Sequence, residues 1–372
     1  MRTERQIKSG TREERIVAQI WQALGIDPKT TPNHLTLGEI GMESMFAVEL
    51  QQGLERDYDI KVTLNDVKNI TIGMMKDFES GKVDEMRGYA EEAKRARAKL
   101  LQIKFIIPSE TYTLLNNVRS GRPVYFLPPL EGIFASLEGL AEKLNRPVFG
   151  LNWTQEVQDL KSVREINQYF KRLLESMSPN GTYDVLSTLD NGGVFIVKLM
   201  RKGRIGSALI IDTISESISE DTVITDEYLL ETSVQTFSKT LPKPAQEKLW
   251  REIRSKSDID SKINKLSADI KEFVGKGLVS RDMDDIIRNS YKRLKLLTEY
   301  RIQKQRKYSK VSKDTLKSRF RALDERLLVL KLFETLNNVG DSDEEFGNRI
   351  KDYYLISDTV SEQMVCFLSS IN

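Results

Sequence analysis

Short apolar runs alternate with helical patterns over residues 109–212, and this alternation constrains the fold more than any other feature of the sequence. Two of the helical patterns cover Ser162–Met177 and Val194–Lys202. The runs between the helical patterns have the length and composition of buried strands: Val124–Leu127, Pro147–Leu151, Tyr183–Thr188 and Ala208–Ile211. Strands that alternate with helices predict an α/β layered domain with a mostly parallel sheet.

The rhythm changes again after Asp212. Residues 213–320 are heavily charged and helical by pattern, which predicts a helical insertion between two parts of the sheet domain. Leu327–Phe333 and Met364–Leu368 then have the character of two further buried strands. We therefore expect one domain over residues 109–372, with the insertion at about 213–320.

The N-terminal part has a different pattern, typical of a small all-α unit. Residues 1–10 are predicted to be a tail, and residues 11–82 a bundle of four helices joined by long loops. Gly25 ends the first helix, and the second begins near Ser44. Thr63 or Asn65 is expected to cap the third helix and Thr71 the fourth. Residues 83–108, rich in Glu, Lys, Arg and Ala, are predicted to form a solvated helical linker.

Composition excludes several classes of protein. Hydrophobic residues make up 39% and charged residues 30%, as in soluble globular chains, and no apolar run reaches the ~18 residues of a membrane span. The net charge of +2 gives no indication of a nucleic-acid partner. One cysteine, Cys366, and an N-terminus without a secretory signal favour a reducing, cytoplasmic location. We find no metal-ligand cluster, so no metal site is predicted.

Ser44 is the strongest candidate for a functional residue. It follows a glycine-bearing loop and stands at the first turn of an amphipathic helix, where backbone N–H groups and the helix dipole favour a phosphodiester. Glu43, Glu49 and Glu55 give this helix an acidic character that suits docking to basic enzyme surfaces. The alternative is that Ser44 is an ordinary N-cap.

The residues around Ser44 resemble the acyl carrier domain of animal-type fatty acid synthases. The resemblance covers residues 12–80 and departs mildly at Glu43, where the family has Asp, and at Met45, where it has Leu. The residues that carry the resemblance are Leu37, Gly38, Gly41, Met42, Ser44, Val48, Glu49 and the run 54–60, with Met45 as a mild replacement. The resemblance implies a covalent 4'-phosphopantetheine on Ser44. It also implies a phosphopantetheinyl transferase, fatty acid synthase catalytic domains and acyl thioesters as partners.

Residues 109–372 resemble the thioesterase that follows the carrier in that family. The matching segments are 124–132, 147–151, 179–183 and 208–212. This resemblance implies an α/β-hydrolase fold with a helical lid, and a serine–histidine–acid triad for thioester hydrolysis. The complete predicted architecture is therefore a four-helix acyl carrier domain followed by an α/β-hydrolase-like domain.

Two of the three triad positions lack the expected residue. The nucleophile position is Leu189 without a gap, or Asp190 with a one-residue shift that places Gly192 two residues further on. The triad acid corresponds to Asp212, whose alternative role is a polar residue at the end of a buried strand. The resemblance places the family's histidine in the loop after the last strand, whereas the one histidine of this sequence, His34, is in the carrier half. We therefore expect a thioesterase-like domain without hydrolase activity. The alternative is the terminal piece of a working synthase that releases fatty acid.

A basic run near residue 300 has two interpretations. It contains Lys292, Arg293, Lys295, Arg301, Lys304, Arg306, Lys307 and Lys310, with tyrosines at 291, 300 and 308. One interpretation is a docking surface for the acidic carrier helix, or a weak anion-binding patch. The favoured one is a solvated face of a lid helix. Cys366 is expected to pack in a strand rather than to react.

Overall fold

The structure, a computed structural model, describes residues 11–187 (without 136 and 180), 205–212, 225–308 and 327–331. The chain divides into two compact units that are each built from two separate stretches. The first unit comprises residues 1–104 and 234–280, and the second comprises residues 105–233 and 281–372. The predicted tail, the positions 189 and 190, the strand at 364–368 and Cys366 lie outside the described residues.

The N-terminal helices of the first unit begin and end at the residues that the sequence indicates. Thr11 forms a capping box with Glu14, and Gly25 ends the first helix in the left-handed conformation. Thr63 and Thr71 each accept a backbone hydrogen bond at the start of a later helix. The helices are α1 (Arg12–Leu24), α2 (Ser44–Tyr58), α3 (Leu64–Asn69), α4 (Ile72–Glu79) and α5 (Val83–Gln102).

One hydrophobic core joins these helices. Its buried members from α1 to α4 include Val17, Trp21, Leu50, Leu54, Val67, Met75 and Phe78. Helix α5 adds Met86, Tyr89 and Ala90 to the same core. The Tyr89 hydroxyl also donates to the carbonyl of Asp66 (2.9 Å), deep in the interior. The predicted linker is therefore helical over residues 83–102, but one face of this helix is buried rather than solvated, because Met86 and Tyr89 recur at helical spacing.

The first unit also contains helices from much later in the sequence. These are α10 (Lys243–Arg254) and α11 (Ile259–Val274), which follow α9 (Asp226–Ser238). Each has a regular apolar face, with Leu249 and Ile253 buried on α10 and Leu266 and Ile270 on α11. The sequence pattern predicts that these residues belong to a lid over the sheet domain. They group instead with the N-terminal helices.

The described strands of the second unit form one mixed sheet in the order β1–β3–β2–β4–β5–β6. All neighbours are parallel except β1 and β3, so the mostly parallel sheet expected from the sequence is confirmed. The strands are β1 (Tyr112–Leu114), β2 (Val124–Phe126), β3 (Val148–Leu151), β4 (Tyr183–Ser187), β5 (Ile205–Asp212) and β6 (Leu327–Lys331). The antiparallel edge strand β1 was not predicted from the sequence.

Helices complete the second unit. Ser162 caps α8, whose residues Ile166, Phe170 and Leu174 pack against Tyr125 and Tyr183 of the sheet. The repeat of four residues places these apolar side chains on one face of the helix. The described helices of this unit are α6 (Glu138–Glu142), α7 (Gln155–Gln158), α8 (Val163–Met177) and α12 (Met283–Tyr308), together with residues 226–233 of α9.

A charged cluster is buried beside β4. Asp184 is fully buried and accepts hydrogen bonds from Arg146 and from Arg122 Nη2 (3.0 Å). Arg146 Nε also donates to the carbonyl of Arg122 (2.7 Å). Two guanidinium groups offset the cost of burying one carboxylate, so β4 tolerates a charge among its apolar neighbours.

Candidate functional site: the start of α2 and the carboxyl edge of the sheet

Ser44 is the first residue of α2 and is exposed. Glu43 occupies the N-cap position with an extended backbone, and no side chain caps the helix. The structure therefore does not place Ser44 in the ordinary N-cap role. The next residue, Met45, is also exposed, at 61% of its surface. The serine hydroxyl is open to solvent beside backbone N–H groups that have no side-chain acceptor, which suits a tethered phosphate.

The loop before Ser44 is held by the segment between α3 and α4. Leu37 N donates to the carbonyl of Ile70 and Gly38 N to that of Lys68, both at 2.8 Å. Met42 is buried and its amide donates to the carbonyl of Leu37 (3.0 Å). Gly41 turns the chain with φ of 90°, a conformation that residues with a side chain rarely adopt. A rigid loop thus leads to an exposed serine.

The three glutamates predicted as docking residues are all exposed. They do not share one face of α2. At about 100° per residue, Glu55 lies within about 20° of Ser44 around the helix axis and about 16 Å along it, whereas Glu49 is displaced by about 140°. Glu43 precedes the helix and adjoins Ser44 directly. Of the three glutamates, only Glu43 is therefore beside the serine; Glu55 lies further along the same face of α2, and Glu49 lies on another face.

Sequence reasoning missed an ion pair behind this loop. Arg251 of α10 donates from Nη2 to Glu39 Oε2 (2.7 Å) and from Nε to Glu39 Oε1 (3.1 Å). Burial alone would raise the pKa of Glu39, but hydrogen bonds from Arg251 and Thr36 outweigh burial and lower the pKa. The sequence indicates only one partner of this ion pair, because Glu39 belongs to the loop that precedes Ser44. Arg251 lies 212 residues further along the chain, and no local pattern connects it to that loop.

A second candidate region lies at the carboxyl edge of the sheet. The chain moves from β2 to β3 on one side, and from β4 to β5 on the other, so the strand order reverses between β2 and β4. Ligands of open α/β sheets bind in the crevice at such a switch point. The loop after β2 and the end of β4 at Ser187 border this edge. β5 ends at Asp212, on the same edge.

Arg293 of α12 fixes the loop after β2. Its Nη1 donates to the carbonyl of Leu130 (2.7 Å), and its Nε donates to Gln158 Oε1 (2.9 Å). The guanidinium lies 4.7 Å from the centre of the Trp153 ring. Gly132 has φ of 76°, and a Cβ atom there would meet Arg293 Nη1 at 2.6 Å. The favoured interpretation of the basic run as a solvated face is thus wrong for Arg293, which is 5% exposed.

Of the triad candidates, the structure describes His34 and the backbone of Asp212. The nucleophile positions Leu189 and Asp190 are outside the described residues, and for Asp212 the backbone position is described. His34 is exposed in a loop of the first unit, where its carbonyl accepts a hydrogen bond from Arg251 Nη2 (3.2 Å). Within the described ranges, no three His, Cys, Asp or Glu side chains are placed to hold a metal ion. No described helix is long and apolar enough to cross a membrane.

Comparison with known proteins relates the chain to multidomain synthases. No protein-family model matches the sequence. Polyketide synthase PksR of Bacillus subtilis (strain 168) is 23% identical over 262 residues, which is 68% of this chain and 9% of that protein. The chain therefore spans less than a tenth of the length of this relative. The similarity supports a relation to synthases of this type, and not to animal-type fatty acid synthases in particular.

Two solved structures show weaker overlap. The holo form of the four-domain nonribosomal peptide synthetase AB3403, bound to AMP and glycine, is 16% identical with a TM-score of 0.40, covering 77% of this chain and 21% of that chain. The Vlm2 thioesterase domain with genetically encoded 2,3-diaminopropionic acid bound with a dodecadepsipeptide is 15% identical with a TM-score of 0.31, covering 51% of this chain and 71% of that chain. These scores are too low to assign a fold.

Proposed function

We propose that the chain carries acyl groups as thioesters on a 4'-phosphopantetheine arm attached to Ser44, within a synthase-type protein. The observation that carries this proposal is the exposed hydroxyl of Ser44 at the uncapped start of α2, after a rigid glycine-bearing loop. Free backbone N–H groups there stabilise the phosphodiester of the arm. Ser44 needs no activation of its own, because a phosphopantetheinyl transferase supplies the catalysis.

The cargo and partners belong to the same proposal. Fatty acyl chains follow from the resemblance of residues 12–80 to fatty acid synthase carriers, and polyketide intermediates follow from the similarity to PksR. Both kinds of cargo are acyl thioesters, so Ser44 has the same role, attachment of the arm, in either case. Catalytic domains of the synthase would approach the exposed, acidic surroundings of Ser44 through basic surfaces.

The second unit is proposed to be a thioesterase-like domain without serine-based hydrolysis. The segment after β4, Thr188 to Gly193, contains no serine at the nucleophile position. Loss of the nucleophile removes most of the rate in enzymes that use a triad. A competing proposal is an active acyl-carrier thioesterase, favoured by the end of β5 at Asp212 on the carboxyl edge of the sheet.

Intact mass spectrometry tests the attachment site. The full chain is incubated with a phosphopantetheinyl transferase and an acyl-CoA. We expect a mass increase of one acyl-phosphopantetheine group in the wild type and in Ser80→Ala, a matched exposed serine of the same bundle, and none in Ser44→Ala. An adduct on Ser44→Ala, or none on the wild type, would refute the attachment site.

The same adduct distinguishes the two proposals for the second unit. If the second unit has no hydrolase activity, the acyl group has the same lifetime on the arm in the wild type, Asp190→Asn and Asp212→Asn. If the wild type loses its acyl group faster than either variant, while all three keep the arm itself, the second unit is a hydrolase.

A further inference from the structure

Contacts between the N-terminal helices and the helices after residue 240 have a functional consequence. We propose that α10 and α11 are a docking platform, within the chain itself, for the bundle that bears Ser44, and that the Arg251–Glu39 ion pair holds the loop that presents Ser44. The proposal rests on the proposed function only in naming Ser44 as the attachment point.

The first contact is placed directly behind the candidate site. Glu39 lies five residues before Ser44 and is 18% exposed, and Arg251 is 31% exposed. Both carboxylate oxygens of Glu39 accept from Arg251 in a forked arrangement that lysine cannot reproduce. Arg251 also binds the carbonyl of His34. One guanidinium therefore bridges both ends of the segment 34–39.

The Glu39 side chain also orders its own loop. Its second role is to accept a hydrogen bond from Thr36 N (2.8 Å), while Thr36 Oγ1 accepts one from Glu39 N (3.3 Å). Ile40 N then donates to the carbonyl of Thr36 (3.2 Å). Because Glu39 serves both Arg251 and Thr36, a displacement of α10 is transmitted to the backbone that precedes Ser44.

A second, independent contact attaches the platform to another part of the bundle. Arg97 of α5 donates from Nη2 to Asp66 Oδ1 (2.5 Å) and from Nε to the carbonyl of Phe273 on α11 (3.1 Å). Its guanidinium also lies over the Phe273 ring, 4.7 Å from the centre. Arg97 thus joins α3, α5 and α11. Two separated contacts define one orientation of the bundle on the platform, whereas one contact would leave it free to pivot.

Docking leaves Ser44 accessible. Ser44 and Met45 are exposed while the loop behind them is held. A transferase or a catalytic domain therefore meets the serine in a fixed orientation, which lowers the ordering cost of binding. The partly exposed ion pair is weak enough to open reversibly. The platform is thus a positioning device for the arm, and Arg251 and Glu39 are positioning residues.

Amide hydrogen exchange of the full, unmodified chain tests the docking. We expect Arg251→Ala to speed exchange of the Leu37, Gly38 and Met42 amides at least threefold, whereas Lys243→Ala, which removes an exposed positive charge from the same helix, leaves their rates unchanged. Arg251→Lys keeps the charge but loses the forked hydrogen bonds, so we expect its exchange rates to lie between those of Lys243→Ala and Arg251→Ala. This variant keeps the test valid if Arg251→Ala unfolds. Equal exchange in the wild type, Arg251→Lys and Arg251→Ala would overturn the proposal.

A double substitution separates a specific ion pair from general loosening. Glu39→Gln keeps the geometry that Thr36 needs but removes the charge. We expect Glu39→Gln to speed exchange in the wild-type background and to add nothing to Arg251→Ala, since the coupled partner is already gone. Additive effects would contradict the specific ion pair. These readouts need no arm, so a chain that docks but gains no adduct at Ser44 would refute the proposed function and leave the docking intact.

Discussion

Arg146 forms an ion pair with Asp184, and the Asp184 carboxylate is completely buried within β4. Arg122 shares the same carboxylate (3.0 Å), and its Nη2 also donates to Thr182 Oγ1 (2.8 Å). Asp184 pairs with Val124, the first residue of the neighbouring strand β2, so the ion pair lies toward the amino ends of the central strands. The central strands therefore enclose one negative charge, on Asp184, which two arginines balance.

Removal of this charge is expected to destabilise the second unit strongly. Asp184→Ala removes the buried carboxylate that Arg146 and Arg122 share, and we expect a loss of about 3–5 kcal/mol in the free energy of unfolding. Denaturant titration of the full chain measures it. Glu156→Ala, an exposed acid in the same unit, should change stability by less than about 0.5 kcal/mol. Similar values for the two variants would contradict the buried pair.

Arg293 provides a second test of the sheet unit. Arg293→Ala removes the donors to Leu130 and Gln158 and the contact with Trp153, and we expect a loss of about 2 kcal/mol or more. Thermal unfolding checks this against Lys292→Ala, an exposed neighbour that should have almost no effect. Arg293→Lys should not rescue stability, because an ammonium group cannot reproduce the planar fork.

Gly41 and Gly53 allow opposite predictions from the same substitution. Gly41→Ala places a side chain at φ of 90°, and we expect a loss of about 1–2 kcal/mol together with slower modification of Ser44. Gly53 lies within α2, and a Cβ atom added there would meet nothing within 4 Å, so Gly53→Ala should stabilise the bundle by about 0.5–1 kcal/mol. Circular dichroism melting gives both signs: no loss for Gly41→Ala would contradict the loop geometry, and a loss for Gly53→Ala would contradict the open space beside α2.

The Arg251–Glu39 contact should depend on pH. The pKa of Glu39 is lowered in the folded chain, so the contact contributes its full stability above the ordinary glutamate pKa of about 4.3 and loses it as the pH falls through the lower, folded value. We expect the free energy of unfolding of the wild type to exceed that of Glu39→Gln by up to about 1 kcal/mol at neutral pH. The difference is small because the pair is partly exposed. Urea titrations from pH 7 downward should show this gap closing. A gap independent of pH would exclude the charge of Glu39 as its source.

Much of the fold follows from local patterns. Gly25, Thr63 and Thr71 mark helix ends because their backbone or side-chain chemistry acts within a few residues. The apolar runs predict β2, β3, β4 and β5 for a similar reason, since strands of parallel sheets are typically apolar throughout rather than alternating with polar residues. β1 was missed because its three residues include the exposed Tyr112 and provide no apolar run.

The candidate site was predictable only where it is local. Ser44 and its glycine-bearing loop are contiguous in the sequence, so the helix start and the exposed hydroxyl were accessible from pattern alone. Arg251 and Arg293 act on loops that lie 212 and 163 residues away, and nothing in their neighbourhoods indicates a partner. A charged residue on a helical pattern is normally assigned to solvent, and only packing reveals that Arg293 points inward.

The division of the chain into interleaved stretches has a consequence for its synthesis. A ribosome makes residues 11–104 before residues 234–280, which belong to the same unit, and the sheet begins in between. Neither unit is therefore complete when the other starts, in contrast to chains whose domains finish one after another. Until residue 251 emerges, the contact between Glu39 and Arg251 cannot form. The surface of the N-terminal helices that contacts α10 and α11 stays exposed during this time. A fragment that ends at residue 104 would lack α10 and α11, so this part of its surface would stay exposed.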